Sequence, residues 1–219
     1  MRIFLATAQL DDIRWAAEHG LADGVLTTPA LLDAEADGDP RGLLADLCRS
    51  TSLPVCATVG AVSGADIYRD ARELAKLSDH VIVQVPLVED AVSAIRKLSA
   101  EGVKVGATLV FNAAQAILAA KAGASMIATA LDQLDVYGHD GIEVVRELHS
   151  VFADGRVECD VMALYPRDAT QFAGCAIAGA DVVAVPPQLV RTLLLHPLTD
   201  RGLDQFLNEL ARGHRSRSS

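Results

Sequence analysis

Short apolar runs alternate with longer amphipathic stretches along the whole chain. Eight runs have the length and composition of strands: 2–6 (RIFLA), 24–28 (GVLTT), 54–58 (PVCAT), 80–85 (HVIVQV), 104–110 (KVGATLV), 125–130 (SMIATA), 157–163 (VECDVMA) and 181–186 (DVVAVP). Each is close to continuously apolar, the pattern of a parallel strand covered on both faces. Between them lie helical patterns such as DDIRWAAEHG, GADIYRDARELAKL, EDAVSAIRKLSAEG, NAAQAILAAKAGA and DGIEVVRELHSVF. Gly20, Gly102 and Gly123 follow helical patterns and precede strands, as expected of a left-handed residue that ends a helix. The repeated unit predicts an α/β chain folded as a single (β/α)8 TIM barrel with an extra C-terminal helix. At 219 residues it is shorter than the ~250 typical of that fold. A doubly wound open sheet is the alternative, but it calls for a glycine-rich turn after its first strand, and TAQLDD has none. The polar stretch 31–44 is read as a loop whose DPRG opens a helix. Residues 1–212 are expected to form one domain, and the basic residues 213–219 a disordered tail.

Composition narrows the function. Hydrophobic residues make up 51% of the chain and aromatics 4%, so the core must be built from Ala, Val, Leu and Ile. A net charge of −10 argues against nucleic acid and against anionic membranes. No apolar run approaches the ~18–20 residues that cross a bilayer. Acidic residues come too early in MRIFLATAQLDDIRW for a secretory signal. Cys48, Cys56, Cys159 and Cys175 are far apart and read as reduced core thiols of a cytoplasmic protein. The histidines lack metal-ligand spacing, and there is no GxSxG, P-loop or GxGxxG motif, so no metal and no cofactor are expected.

In a barrel the site lies at the C-terminal ends of the strands. That places Ala6, Thr28, Thr58, Gln84, Thr108, Thr129, Tyr165 and Arg167 on one rim. Gln84 stands inside an apolar run, where an amide without a partner costs ~2–7 kcal/mol. It either bonds to Thr58 or Thr108, or faces a cavity. Arg167 is an anion anchor or one half of a surface ion pair. Tyr165 is a lid, a donor or bulk. His139 with Asp140 is a minor candidate.

GATLVFNAAQAILAAKAGASMI, LDVYGHDGIEVVRELHSVF and HPLTDRGLDQFLNEL resemble the fifth strand and helix, the segment that follows and the C-terminal helix of the small transaldolases of the fructose-6-phosphate aldolase type. IFLATAQLDDIRWAAEHGLADGVLTTPALL has the layout of their start, and the resemblance extends over nearly the whole chain. It implies a sugar-metabolising barrel that assembles as pentamers or stacked decamers. Those enzymes form a Schiff base through a lysine in a VKVP-like motif on the fourth strand. Here the motif is VQVP, and the resemblance puts Gln84 at the lysine position. A carboxamide nitrogen is delocalised into its carbonyl and forms no iminium; it only donates and accepts hydrogen bonds. By the same resemblance Ala6 replaces an aspartate, Thr28 an asparagine, Thr58 a Glu or Gln that handles the catalytic water, Gly106 an asparagine and Gln133 an arginine. Thr108 is kept. Tyr165-Pro166-Arg167 replaces a Ser-x-Arg phosphate pair, keeping the arginine alone.

The sequence therefore implies a transaldolase-like barrel that binds a small polar or sugar-like molecule, carbonyl-bearing or anionic, without Schiff-base chemistry. Gln84, Tyr165 and Thr108 are its candidate catalytic groups for a different reaction, and Thr28, Thr58, Thr129 and Arg167 its candidate ligand contacts. A pseudoenzyme acting as a binding or scaffold protein is the alternative, and a genuine transaldolase using a displaced lysine is the third reading. Whether the chain is an enzyme stays open at this point. A homo-oligomer is expected.

Overall fold

The computed structural model describes residues 1–155 and 157–217, with side chains through Leu210. Eight parallel strands close into a barrel in sequence order: β1 (Arg2–Ala6), β2 (Gly24–Leu26), β3 (Val55–Thr58), β4 (Val81–Pro86), β5 (Val105–Thr108), β6 (Met126–Ala130), β7 (Asp160–Leu164) and β8 (Val182–Val185). β8 pairs with β1 through Arg2↔Val182 and Phe4↔Ala184, which closes the ring. Single helices follow most strands: α1 (Leu10–Glu18), α4 (Gly64–Ala75), α5 (Glu89–Ala100), α6 (Ala113–Ala122) and α9 (Ala169–Ala178). Two helices each follow β2, β6 and β8: α2 (Pro29–Glu35) with α3 (Pro40–Ser50), α7 (Leu131–Val136) with α8 (Gly141–Gly155), and α10 (Pro187–Leu193) with α11 (Pro197–Arg217).

Strand residues alternate between two cores. Phe4, Ala6, Leu26, Cys56, Ile82, Met126, Ala128, Met162, Val182 and Ala184 fill the barrel interior. Their neighbours, such as Leu5, Val25, Ala57, Val83, Ala107, Ile127 and Val183, face the helices. Both faces are covered, which is why the strands read as unbroken apolar runs. Helix starts are set by side chains. Thr28, Asp39, Ser63, Asn112 and Asp168 each accept from a backbone N–H one turn on, an interaction of about 1 kcal/mol per cap. Gly123 ends α6 at φ 108°, a conformation that costs a side chain energy.

The second and fifth strands are shorter than read, Gly24–Leu26 and Val105–Thr108, and three further places differ. The stretch 31–44 is not one loop: Thr28 caps α2, and Leu32 is buried beneath it, so α2 takes in residues up to Glu35. Asp39 then caps α3 at DPRG, as the sequence indicated. The seventh strand begins at Asp160, because Val157 turns back to bond Phe152 O and Cys159 to bond Val157 O. In the stretch 213–219 the backbone is helical as far as Arg217, so α11 runs through most of the segment expected as a tail. Arg156, Ser218 and Ser219 lie outside the described residues.

The ring of helices is latched where its ends meet. Arg191 on α10 pairs with Asp12 at 3.0 Å, and its guanidinium lies 3.8 Å from the centre of the Trp15 ring on α1. Beyond α10 the chain leaves the barrel, and every described side chain of α11 is exposed.

At the floor of the interior, a Cβ on Gly24 would lie 2.4–2.6 Å from the Phe4 ring carbons. Gly24→Ala is expected to destabilise the fold by about 1–3 kcal/mol through overpacking. Urea unfolding measures this, and Phe4→Leu in the same chain should recover most of the loss.

Candidate functional site

β4 presents Ile82, Gln84 and Pro86 to the interior, with Val83 and Val85 turned to the helices. Gln84 is fully buried. Its register partner on β5 is Gly106, and the partner of Gly106 on β6 is Met126. Gly106 has no side chain, so the carboxamide lies over β5 and reaches Met126, where Nε2 donates to Sδ at 3.8 Å. A Cβ at position 106 would sit 2.5 Å from Nε2 and 2.7 Å from Oε1. The other end of the amide is open: Oε1 is buried and accepts from no protein donor. Neither threonine named by the sequence supplies that donor, and Thr58 Oγ1 instead donates to Thr27 O at 3.4 Å. Cys56 packs beside the amide. Burial pushes its thiol up to about 12, with the hydrogen bond from Gln84 acting in the opposite sense. The amide thus sits between the sulfurs of Met126 and Cys56.

The rim threonines fall into three sets. Thr58 and Thr108 end β3 and β5, half-buried, on the face that carries Cys56 and Gly106 inward. Thr28 is half-buried, but its hydroxyl already accepts from Leu31 N at 3.2 Å as the cap of α2. Thr129 does not join them. It shares the parity of Ile127, which faces the helices, while Met126 and Ala128 face inward. Its hydroxyl is buried in the outer layer without a partner. Position at a strand end does not fix which face a side chain takes, and a one-residue change of parity moves it from cavity to outer wall.

Tyr165 follows β7 with φ 56°, and Leu109 follows β5 with φ 58°. Left-handed backbone at such residues costs roughly 1–2 kcal/mol each. Tyr165 N donates to Ala184 O at 2.9 Å. Its ring, with Leu164 and Leu31, packs against the interior core. Burial first, and then the Asp132 carboxylate, hold its phenol above the ordinary tyrosine range, so it is a neutral hydroxyl at neutral pH. Leu131, which follows β6, belongs to the outer layer.

Arg167 is exposed and tied down. It donates to Asp135 Oδ2 at 3.1 Å and lies 3.5 Å from Asp168 Oδ2. Gln171, nearly buried, donates to the same Asp135 oxygen at 2.9 Å and accepts from Arg167 N. The sequence reading missed Asp135 and Gln171; the contact joins residues 32 apart, beyond the reach of local spacing. Asp140 caps α8 through Ile142 N and Glu143 N. His139 lines a separate cavity of about 460 Å³ with Phe111, Asn112, Gln133, Leu134 and Tyr137. Among the described residues no cluster of His, Cys, Asp or Glu could hold a metal ion, and no helix is long and apolar enough to cross a membrane. Lys76, Lys97, Lys104 and Lys121, all the lysines of the chain, are exposed.

Eight parallel strands closed in sequence order, with helices between them, define the class, a (β/α)8 barrel. Comparison with known proteins supplies the family. Residues 3–216 match Transaldolase/Fructose-6-phosphate aldolase. The chain is 39% identical over 207 residues to a probable transaldolase of Hyphomonas neptunium, covering 94% of this chain and 95% of that one. It is 36% identical over 209 residues to a probable transaldolase of Thermodesulfovibrio yellowstonii, covering 95% and 97%. A third probable transaldolase, of Petrotoga mobilis, is 37% identical over 210 residues. The chain belongs to the transaldolase/fructose-6-phosphate aldolase family.

Gly106 and Gln84 should behave as one unit. Gly106→Ala is expected to cost about 1–3 kcal/mol in the native chain and much less in a Gln84→Ala background. The coupling from the double-mutant cycle, read from urea unfolding, should be about 1 kcal/mol or more; additive costs would contradict the packing described.

Proposed function

We propose that this chain is a transaldolase-family barrel that binds a small polar or sugar-like molecule through hydrogen bonds and has lost Schiff-base aldol chemistry. The observation that carries the reading is residue 84. It is a glutamine on the inner face of β4, fully buried, at the position where the resemblance places the family's lysine. A displaced lysine is disfavoured, since all four lysines are exposed; Lys76 pairs with Glu73 and Lys97 lies against the Tyr68 ring. The free Oε1 of Gln84 supports a hydrogen-bonding role. A buried acceptor without a donor costs about 1–3 kcal/mol, and a ligand hydroxyl would remove that cost. The carboxamide N–H and the Thr108 hydroxyl are then the donors available to a ligand carbonyl, the arrangement that polarises it as charge develops on oxygen. Tyr165 supplies a neutral phenol at the entrance. A reaction with a modest intrinsic barrier, such as an isomerisation, elimination or condensation, suits such groups.

A second reading, a binding or scaffold protein without catalysis, is favoured by the packing of Leu31, Leu164 and Tyr165 over the interior. It also draws on α11, where Leu203, Phe206, Leu207 and Leu210 share one face and are all about half exposed or more. That face fits the homo-oligomer, a pentamer or decamer, expected from the resemblance. Light scattering should give a mass several times that of one chain. Replacing Leu203, Phe206 and Leu207 together by Ser should return it to one chain; a native monomer would remove the assembly from this reading.

The chemical reading is tested with ketoses and borohydride followed by intact-mass measurement. No adduct is expected, and a stable adduct on any lysine would overturn it. Gln84→Lys is expected to remain at least ~100-fold below an active family member, because general acid–base assistance contributes roughly 10²–10⁴-fold and Ala6, Thr28 and Thr58 do not restore it.

A further inference from the structure

The charge at the C-terminal ends of the strands bears on which ligands the barrel admits, an inference that rests on the ligand-binding reading above. In the segments that join each strand to the helix after it, Arg167 is the one basic side chain. The first turns of those helices add carboxylates, Asp132 on α7 and Glu89 on α5 among them, and no cation. Arg167 is itself committed, to Asp135 at 3.1 Å and Asp168 at 3.5 Å, with Gln171 bound to the same Asp135 oxygen. Helix N-termini facing a mouth favour anions in general. Here side-chain oxygens of Thr28, Ser63, Asn112 and Asp168 already accept from the first-turn N–H groups of α2, α4, α6 and α9. The Asp132 carboxylate is felt at the mouth, since it helps to raise the Tyr165 phenol. Deeper in, the amide of Gln84 is neutral, and its buried Oε1 accepts from no protein donor. A phosphate monoester carries about −1.5 to −2 charges near neutral pH and would meet Asp135 and Asp168 beside the one arginine, which they already pair, and Asp132 near Tyr165.

We propose that the mouth admits an uncharged polyhydroxy compound, an unphosphorylated sugar or polyol whose hydroxyl donates to Gln84 Oε1, and excludes phosphate esters. Arg167 acts as a strut between α7 and the segment before α9, and not as an anion anchor.

Two measurements test this. The first is ligand-observed NMR with fructose and fructose 6-phosphate on the whole chain, with inorganic phosphate as competitor. Fructose should bind at least ~10-fold more tightly than its phosphate, since screening at ordinary salt does not abolish interactions within one Debye length, and inorganic phosphate should not compete. Tighter binding of the phosphate, or competition by inorganic phosphate, overturns the proposal. The second does not depend on knowing the ligand. In Thr108→Cys, a cationic and an anionic methanethiosulfonate are compared, and their rate ratio is normalised to that of a small free thiol. The unsubstituted chain serves as blank, its four cysteines being buried. A normalised ratio above one, falling towards one in high salt, supports exclusion of anions, and a ratio below one overturns it. If neither sugar binds, the ligand-holding reading of the site falls, and the labelling ratio alone decides whether anions are kept out.

Discussion

The barrel interior depends on one steric condition: the carboxamide of Gln84 occupies the space that any side chain at position 106 would need. With glycine on β5, the amide lies flat across that strand and meets Met126 on the next. Its orientation is fixed by packing more than by hydrogen bonds, since one end touches sulfur and the other end is free. A residue held in this way leaves a buried acceptor without a partner. The same device recurs at the floor, where Gly24 makes room for Phe4. Two of the large interior groups, Phe4 and Gln84, are each admitted by a glycine on the neighbouring strand. Substitution inside this barrel therefore acts on pairs of positions, and a change of chemistry at one strand is coupled to backbone access at the next.

Around that interior the rim is both strained and electrostatically closed. Tyr165 and Leu109 hold left-handed backbone on either side of β6, and Tyr165 rests its ring on the inner core. Arg167, Asp135 and Gln171 form a small network that ties α7 to the start of α9. Removing any one of them would leave a charge or an amide without its partner. The strand-to-helix segments carry one basic side chain, Arg167, and it is paired with carboxylates; the proposal of an uncharged ligand rests on that balance.

Much of this was legible in the chain. Strand positions were readable because a parallel strand is covered on both faces, and Gly20, Gly102 and Gly123 marked helix ends where the backbone is left-handed. Gln84 stood out because a lone amide in an apolar run must have a reason. Three features were not legible, each for a physical cause. The face taken by Thr129 depends on strand parity, which the position of a strand end does not reveal. The partner of Arg167 is fixed by the approach of α7 to α9, across 32 residues. The role of Gly106 requires the β4–β5 register, because a glycine in a strand has several explanations until the atom in its missing volume is known.

The latch between α1 and α10 has a spectroscopic consequence. Trp15 is the chain's single tryptophan, and it lies under the Arg191 guanidinium at the seam where the first and last barrel units join. Its emission is therefore a local probe of ring closure. Fluorescence and circular dichroism will coincide on unfolding only where the seam and the rest of the barrel open together, and any separation between the two signals dates the opening of the barrel at its termini.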